Sequence, residues 1–278
     1  MTPEIQRAAS GVKPTMTDQM VLDFCKTGIF MLEGVIPDAT NRWVTEYLDQ
    51  EDATPNALVR DPRYIKEVLL HPEVAGAARS LLGENVQLPD WMANHRLVGP
   101  MPAKQWHVDG GSGFERLCNL LQVFYIPQSN TKEMGPTLFL PGSHIVPVAR
   151  EELDHFGHLA GQTATVAPAG SVFFTAYSIW HRQSEKIDQS TRNLLKWEFW
   201  RTVPPRRDWI VDPNFDFAGA DYSYTNSYFS GATRKWQSVL RVAEMFYWLC
   251  GKKDEFHVVG GSGWPFSASD PGRWTTLQ

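Results

Sequence analysis

The chain has 278 residues, 42% of them hydrophobic, with 26 Lys plus Arg against 31 Asp plus Glu and a formal net charge of −5. That balance offers no general attraction to phosphate backbones or acidic membranes, which excludes nucleic acid as an expected partner. The length suits one elaborated β-rich domain with a sizeable core, and three scattered cysteines, Cys25, Cys118 and Cys250, exclude a disulfide framework or zinc knuckle and fit a reducing cytoplasm.

In chain order, Met1 to Gly11 lacks the apolar core of a signal peptide, so a soluble cytoplasmic protein is expected. Thr17-Asp18 caps a predicted helix that carries Val21, Leu22, Phe24 and Cys25 on one side and ends at Gly28. Further helices are expected from Asn41 to Gln50 and from Pro72 to Leu82, the second closed by Gly83, completing a helical front over residues 1–85. From Val86 the pattern changes to short β-branched and aromatic runs bounded by Gly and Pro. Strands are predicted over Trp91 to Val98, Leu117 to Ile126, Thr137 to Leu140, Thr163 to Val166, Ser171 to Tyr177 and Leu194 to Trp200. The run Leu120 to Pro127 is far too short to span a bilayer. Many short strands with turn punctuation imply a β-sandwich or jelly roll over residues 86–201, with the polar segment Gln183 to Thr191 as a hairpin-like connection. Pro204-Pro205 breaks the last strand and opens an extension over 202–278, where Arg234 to Cys250 predicts a helix and Gly260-Gly261-Ser262-Gly263 a loop.

The chemistry lies in the middle. His107 and Asp109 stand at i and i+2, a spacing that on a strand projects both to one face, and His181 offers a third ligand. Two imidazoles and a carboxylate on one face of an ion leave the other positions open, as in non-haem Fe(II) oxygenases. The bland alternatives are a surface hydrogen bond for the pair and a satisfied core histidine for His181. Gly110-Gly111-Ser112-Gly113 follows the pair without a Lys-Ser/Thr, so it is no phosphate cradle. Arg192 enters a strand and needs an anion there, either a bound carboxylate or an internal Asp or Glu. His155 and His158 lie in a polar stretch expected to be solvated. His144 closes a tight turn that suggests a structural hydrogen bond, and His95 is placed toward the sheet interior. His71 and His257 carry no signal, and Arg206-Arg207 reads as a solvated face. Eleven tryptophans are explained by packing, with a surplus available to line a pocket.

Several of these elements occur in one order: Thr27-Gly28-Ile29-Phe30, His71-Pro72 with Leu82-Gly83, Trp106-His107-Val108-Asp109, Gly135-Pro136-Thr137, Pro141-Gly142-Ser143-His144, His181 and Arg192. In that order, over roughly residues 17 to 201, the chain resembles the phytanoyl-CoA dioxygenase family of Fe(II)- and 2-oxoglutarate-dependent oxygenases. The resemblance implies a mainly β fold with flanking helices, a double-stranded β-helix (an eight-stranded, cupin-like jelly roll), within a single domain over 1–278. It implies Fe(II) held by His107, Asp109 and His181, with 2-oxoglutarate chelating through its 1-carboxylate and keto oxygen and its 5-carboxylate paired with Arg192. Thr137 matches a threonine that some relatives use for the cosubstrate, whereas Lys104 stands where relatives often carry glutamine, with Gln105 beside it. The implied reaction consumes O2 and 2-oxoglutarate, releases succinate and CO2, and hydroxylates a small organic molecule; the retained Asp109 argues against halogenation. Two other classes stay open: a jelly-roll zinc hydrolase using the same ligands, and a non-catalytic module with a Trp-rich ligand pocket. Substrate identity and oligomeric state are not encoded in these motifs, and Gly110 to Arg116, Asp208 to Ser230 and the C-terminal loop are the expected pocket walls.

Overall fold

The computed structural model describes residues 11–109, 117–146, 153–224 and 232–255, without the side chains of 232–238. The helical front forms for local reasons. The Thr17 hydroxyl accepts from the Met20 amide, and α1 (Asp18–Thr27) ends at Gly28, whose φ of 73° brings its amide to the Phe24 carbonyl. Val21, Leu22, Phe24 and Cys25 are buried as their spacing requires. Next comes α2 (Asp38–Leu48), which begins before the expected Asn41 because Pro37, at φ −60°, presets the entry. Short turns at Pro55–Leu58, Pro62–Tyr64 and Ile65–Leu69 follow, and α3 (Pro72–Leu82) has the expected bounds, opened by its proline.

Ten strands are present among the described residues: β1 (Ile29–Leu32), β2 (Ala93–Asn94), β3 (Leu97–Val98), β4 (Leu120–Ile126), β5 (Thr137–Phe139), β6 (Thr163–Ala164), β7 (Ser171–Ala176), β8 (His181–Gln183), β9 (Thr191–Arg192) and β10 (Leu195–Trp200). They form an antiparallel sheet in the order β1-β7-β4-β10-β2, a three-stranded sheet β6-β5-β8 and a pair β3-β9. The fold is therefore mainly β, of the jelly-roll class, with sheets that are not closed on one another. Both faces of the large sheet are buried. Leu121, Val123, Tyr125, Val172, Phe174, Leu195, Trp197 and Phe199 join the helices in one cluster. The alternate residues Phe124, Ile126, Phe173 and Leu194 meet Phe139, Ala167 and Ile179 in an inner one.

Three expectations change. Trp91 to Val98 is two strands, because β2 pairs with β10 whereas β3 pairs with β9. The Thr163 to Val166 strand stops at Ala164, since the Thr165 hydroxyl turns to accept from the Thr137 amide. Gln183 to Thr191 is no hairpin: β8 pairs with β5 and β9 with β3.

The extension also departs from the sequence reading. Arg207 is no solvated residue: its guanidinium donates to both oxygens of the buried Asp18 at 2.6 and 2.7 Å, and the Trp209 indole and Asp212 amide add two more bonds. Arg206 does stay exposed. The last helix, α4 (Ala232–Leu249), buries Val242, Met245, Phe246 and Leu249 in the helix-side cluster. His257, the Gly260–Gly263 loop and the Gly110–Arg116 wall lie outside the described residues. No helix among the described residues is long and apolar enough to cross a membrane.

Gly28 is held twice over. A Cβ there would lie 2.5 Å from His144 Nδ1, and the positive φ disfavours any L side chain. Strain and overpacking each cost about 1–3 kcal/mol, so Gly28→Ala should lose roughly 2–4 kcal/mol of stability in a denaturant melt. His144 itself makes the expected structural bond, from Nε2 to the Cys25 carbonyl at 3.1 Å, which requires that nitrogen to carry the proton.

Candidate metal centre

The ladder that positions the site is a single pair of residues. His107 and His181 stand directly opposite one another and exchange both backbone hydrogen bonds, at 3.0 and 2.9 Å, which brings their ring centroids to 4.4 Å. His107 thus sits in an isolated bridge rather than the extended strand its i, i+2 spacing suggested, and Asp109 reaches the same point from just beyond it. The three bring one donor atom each within 4.8 Å of one another.

The histidines are oriented for ligation. Nδ1 of His107 contacts the Gln105 carbonyl at 2.9 Å, and Nδ1 of His181 contacts the Ile179 carbonyl at 3.1 Å. A carbonyl can only accept, so each Nδ1 carries a proton, and each ring turns its Nε2 toward the site. Those nitrogens face the Asp109 carboxylate, at 3.9 Å from His107 and 3.6 Å from His181. Burial pushes the His181 imidazole down to about 4 against the opposing pull of Asp109, so it is neutral at neutral pH. Burial would raise the Asp109 carboxyl, but His181, Lys196 and His107 outweigh it and hold the group below its ordinary range.

Two neighbours were missed in the sequence. Gln122 on β4 and Lys196 on β10 both donate to Asp109 Oδ2. Each had a signal. Gln122 is the polar residue in the run Leu120-Leu121-Gln122-Val123-Phe124-Tyr125-Ile126, and Lys196 alternates with the helix-facing Leu195 and Trp197, so both point into the interior.

Arg192 is 1% exposed, and its guanidinium donates to the carbonyls of Gly135 and His95. Its Nε has no hydrogen-bond partner. It makes no ion pair among the described residues, so the internal Asp or Glu weighed as its partner is not what the structure places there. Burial lowers its pKa to about 10. His95 is placed inward as expected: burial, with Lys196, Lys104 and Arg192 nearby, depresses it to about 4. A buried guanidinium with no carboxylate partner among the described residues, together with a histidine-carboxylate triad, fits a dianionic chelator on a divalent metal. Thr137 is buried on the β5 face that carries Phe139, whose ring lies 5.9 Å from that of His181. Lys104 is exposed and contributes its amide to the Gln183 carbonyl. His155 and His158 are exposed, as a solvated loop requires.

Comparison with known proteins agrees with this geometry. The family model for phytanoyl-CoA dioxygenase matches residues 36–192, more than half of the chain. Among solved structures, HygX from Streptomyces hygroscopicus superposes with a TM-score of 0.56 in its apo form, at 14% identity over 70% of this chain and 90% of that one. Its form with nickel and 2-oxoglutarate bound gives 0.54 at 15% identity and the same coverage. EctD from S. alaskensis with 2-oxoglutarate and 5-hydroxyectoine gives 0.53, at 16% identity over 70% of this chain and 80% of that one. The carbocyclase SnoK from nogalamycin biosynthesis gives 0.52, at 19% identity over 71% and 90%. At these identities the likeness is one of fold. No curated protein matches the sequence significantly. The matched segment contains the triad and ends at Arg192, and on that ground the chain belongs to the phytanoyl-CoA dioxygenase family and is a non-haem iron, 2-oxoglutarate-dependent oxygenase.

Proposed function

We propose that the protein hydroxylates an unactivated C–H bond of a small organic substrate, with Fe(II) held by His107, Asp109 and His181. Arg192 and Thr137 bind the distal carboxylate of 2-oxoglutarate. The observation that carries this reading is a pair of imidazoles, each with Nδ1 turned to a backbone carbonyl, converging on Asp109, together with a buried arginine that makes no ion pair among the described residues. The presence of 2-oxoglutarate in HygX and EctD supports it. Iron and 2-oxoglutarate together with O2 supply the oxidising power, and succinate and CO2 are the co-products.

The protein's own part is position and environment. The backbone carbonyls of Gln105 and Ile179 fix both imidazoles in the ligating tautomer. Phe124 and Phe139 wall His181 from water. Lys196 and Gln122 both donate to the Asp109 carboxylate and fix its position beside the two imidazoles. Arg192 is rooted on two carbonyls, so its fork is set before the cosubstrate arrives. The extension over 202–278 belongs to the same domain in this reading, supported by the Asp18–Arg207 pair that ties it to α1.

The test is an anaerobic titration of the Fe(II)-loaded protein with 2-oxoglutarate, followed by its visible charge-transfer band and then by succinate release in air. A saturable band in the wild type is the expected result. In Arg192→Met, half-saturation should need about 30-fold more cosubstrate or greater, the cost of removing one side of a buried charge pair. Iron binding without any band would remove 2-oxoglutarate from the reading. A midpoint unchanged in the variant would remove Arg192.

A further inference from the structure

β10 alternates strictly. Leu195, Trp197 and Phe199 pack with the helices, so Lys196, Glu198 and Trp200 share the opposite face, on which Lys196 meets Asp109 and Glu198 stands opposite Gln122 of β4. Lys196 is occupied by Asp109. Glu198, one pleat repeat or roughly 7 Å further along the strand, makes no hydrogen bond and no ion pair among the described residues and is only half-buried. It nonetheless lies within the field of the site: burial raises its pKa, Lys196 opposes that and Asp109 adds to it. Tyr177, following β7, lies within the field of both: burial raises its hydroxyl, and Glu198 and Asp109 add to that.

Glu198 is also part of the wall of a cleft of about 70 Å3 whose other sides are Trp91, Trp200, Asp90 and the chain at Gln87 to Pro89. Trp91 is 51% exposed and Trp200 45%, high for so large an apolar ring. Two exposed indoles flanking an unpaired carboxylate offer a π-face and a counter-charge together. That combination is complementary to an organic cation and poorly suited to an anion or a simple hydrocarbon. The volume accepts a small head group rather than an entire substrate.

We propose that this cleft receives an ammonium group of the substrate, with Glu198 as its counter-ion and Trp91 and Trp200 as its aromatic walls. The target C–H bond is thereby presented toward the triad. This deepens the oxygenase reading and rests on it. The substrate class is then an amine or quaternary ammonium compound.

Two probes isolate the charge: choline, and 3,3-dimethyl-1-butanol, its uncharged isostere. Ligand-observed NMR would be recorded on the anaerobic protein loaded with Fe(II) and 2-oxoglutarate, with the charge-transfer band measured on the same samples. The wild type should bind choline about tenfold more tightly than the isostere. Glu198→Gln should reduce that preference to near parity, and Trp91→Ala should weaken choline several-fold while leaving the band in place. Equal binding of the two probes, absence of choline binding, or a preference unchanged by Glu198→Gln would each overturn the proposal. A normal band with no cation preference removes the cleft alone. A cation preference without a band supports the cleft and removes the cofactor assignment.

Discussion

Asp109→Ala should reduce 2-oxoglutarate-dependent succinate formation about 1000-fold or more, as expected when one member of a catalytic unit is lost. It should also destabilise the metal-free protein. Two effects combine in this variant, and they can be separated. The carboxylate is the sole oxygen donor in the triad, so its loss leaves two imidazoles and a much weaker site for a divalent ion. It is also the counter-ion of Lys196, whose side chain is 9% exposed. With Asp109 gone, an ammonium is left unpaired in the interior. Breaking a fully buried pair costs about 3–5 kcal/mol; here about 2 kcal/mol is expected, because Asp109 keeps roughly a quarter of its side chain accessible. The double variant Asp109→Ala/Lys196→Met removes both charges and should restore most of the lost stability in a thermal melt. Its iron binding, measured by anaerobic titration, should stay as weak as in the single variant. Iron binding rescued together with stability would mean that Asp109 acts through the ion pair and not as a ligand.

Asp18→Ala should be the most destabilising single change outside the site, at about 3–5 kcal/mol. Asp18 is 2% exposed and accepts four hydrogen bonds, two from Arg207, one from the Trp209 indole and one from the Asp212 amide. Truncation strands the Arg207 guanidinium and two further donors at once. For a chain of this size the midpoint of thermal unfolding should fall by roughly 10 °C. The acid limb of stability carries an independent signature. Burial alone would raise the Asp18 carboxyl, but the bonds from Arg207, Asp212 and Trp209 prevail and hold it below the ordinary aspartate value of 3.8. Its contribution is therefore fully present above about pH 4 and is lost as pH falls through the lower, folded-state value. In the wild type, urea midpoints should drop over that window; in Asp18→Ala the drop should be shallower. An identical acid limb in both proteins would show that Asp18 does not titrate as described.

Much of this was legible where local physics decides the outcome. Pro72 and Gly83 bracket α3 because proline suits a first turn and glycine closes a last one. Thr17 and Gly28 bracket α1 in the same way. His107, Asp109, His181 and Arg192 stood out through their residue types and order, and the structure brings one donor atom from each of the first three together. What escaped the sequence depends on partners distant in the chain. The division of Trp91 to Val98 is set by which sheet each half joins, and the end of the Thr163 strand by a hydroxyl bond to a strand 28 positions earlier. Arg207 could not be told from a solvated arginine, because its partner lies 189 residues away. Lys196 and Gln122 were visible only as polar residues at inward positions of apolar strands. The apolar majority of each run suffices for calling the strand, so attention does not fall on the one residue that contradicts it.

The two margins of the large sheet bear on how this chain behaves in a crowded cell. An unpaired strand is a row of free amides and carbonyls that invites another molecule to continue the ladder. Here one margin is β2, two residues long, and the other is β1, four residues long, entered through Gly28 and left toward Gly34, both at positive φ. The long, strongly apolar β4 and β7 are kept in the middle, where neighbours already occupy their hydrogen bonds on both sides. Intermolecular sheet growth therefore has a foothold of only a few residues, and the segments best suited to sustain it become available only after the fold has been lost.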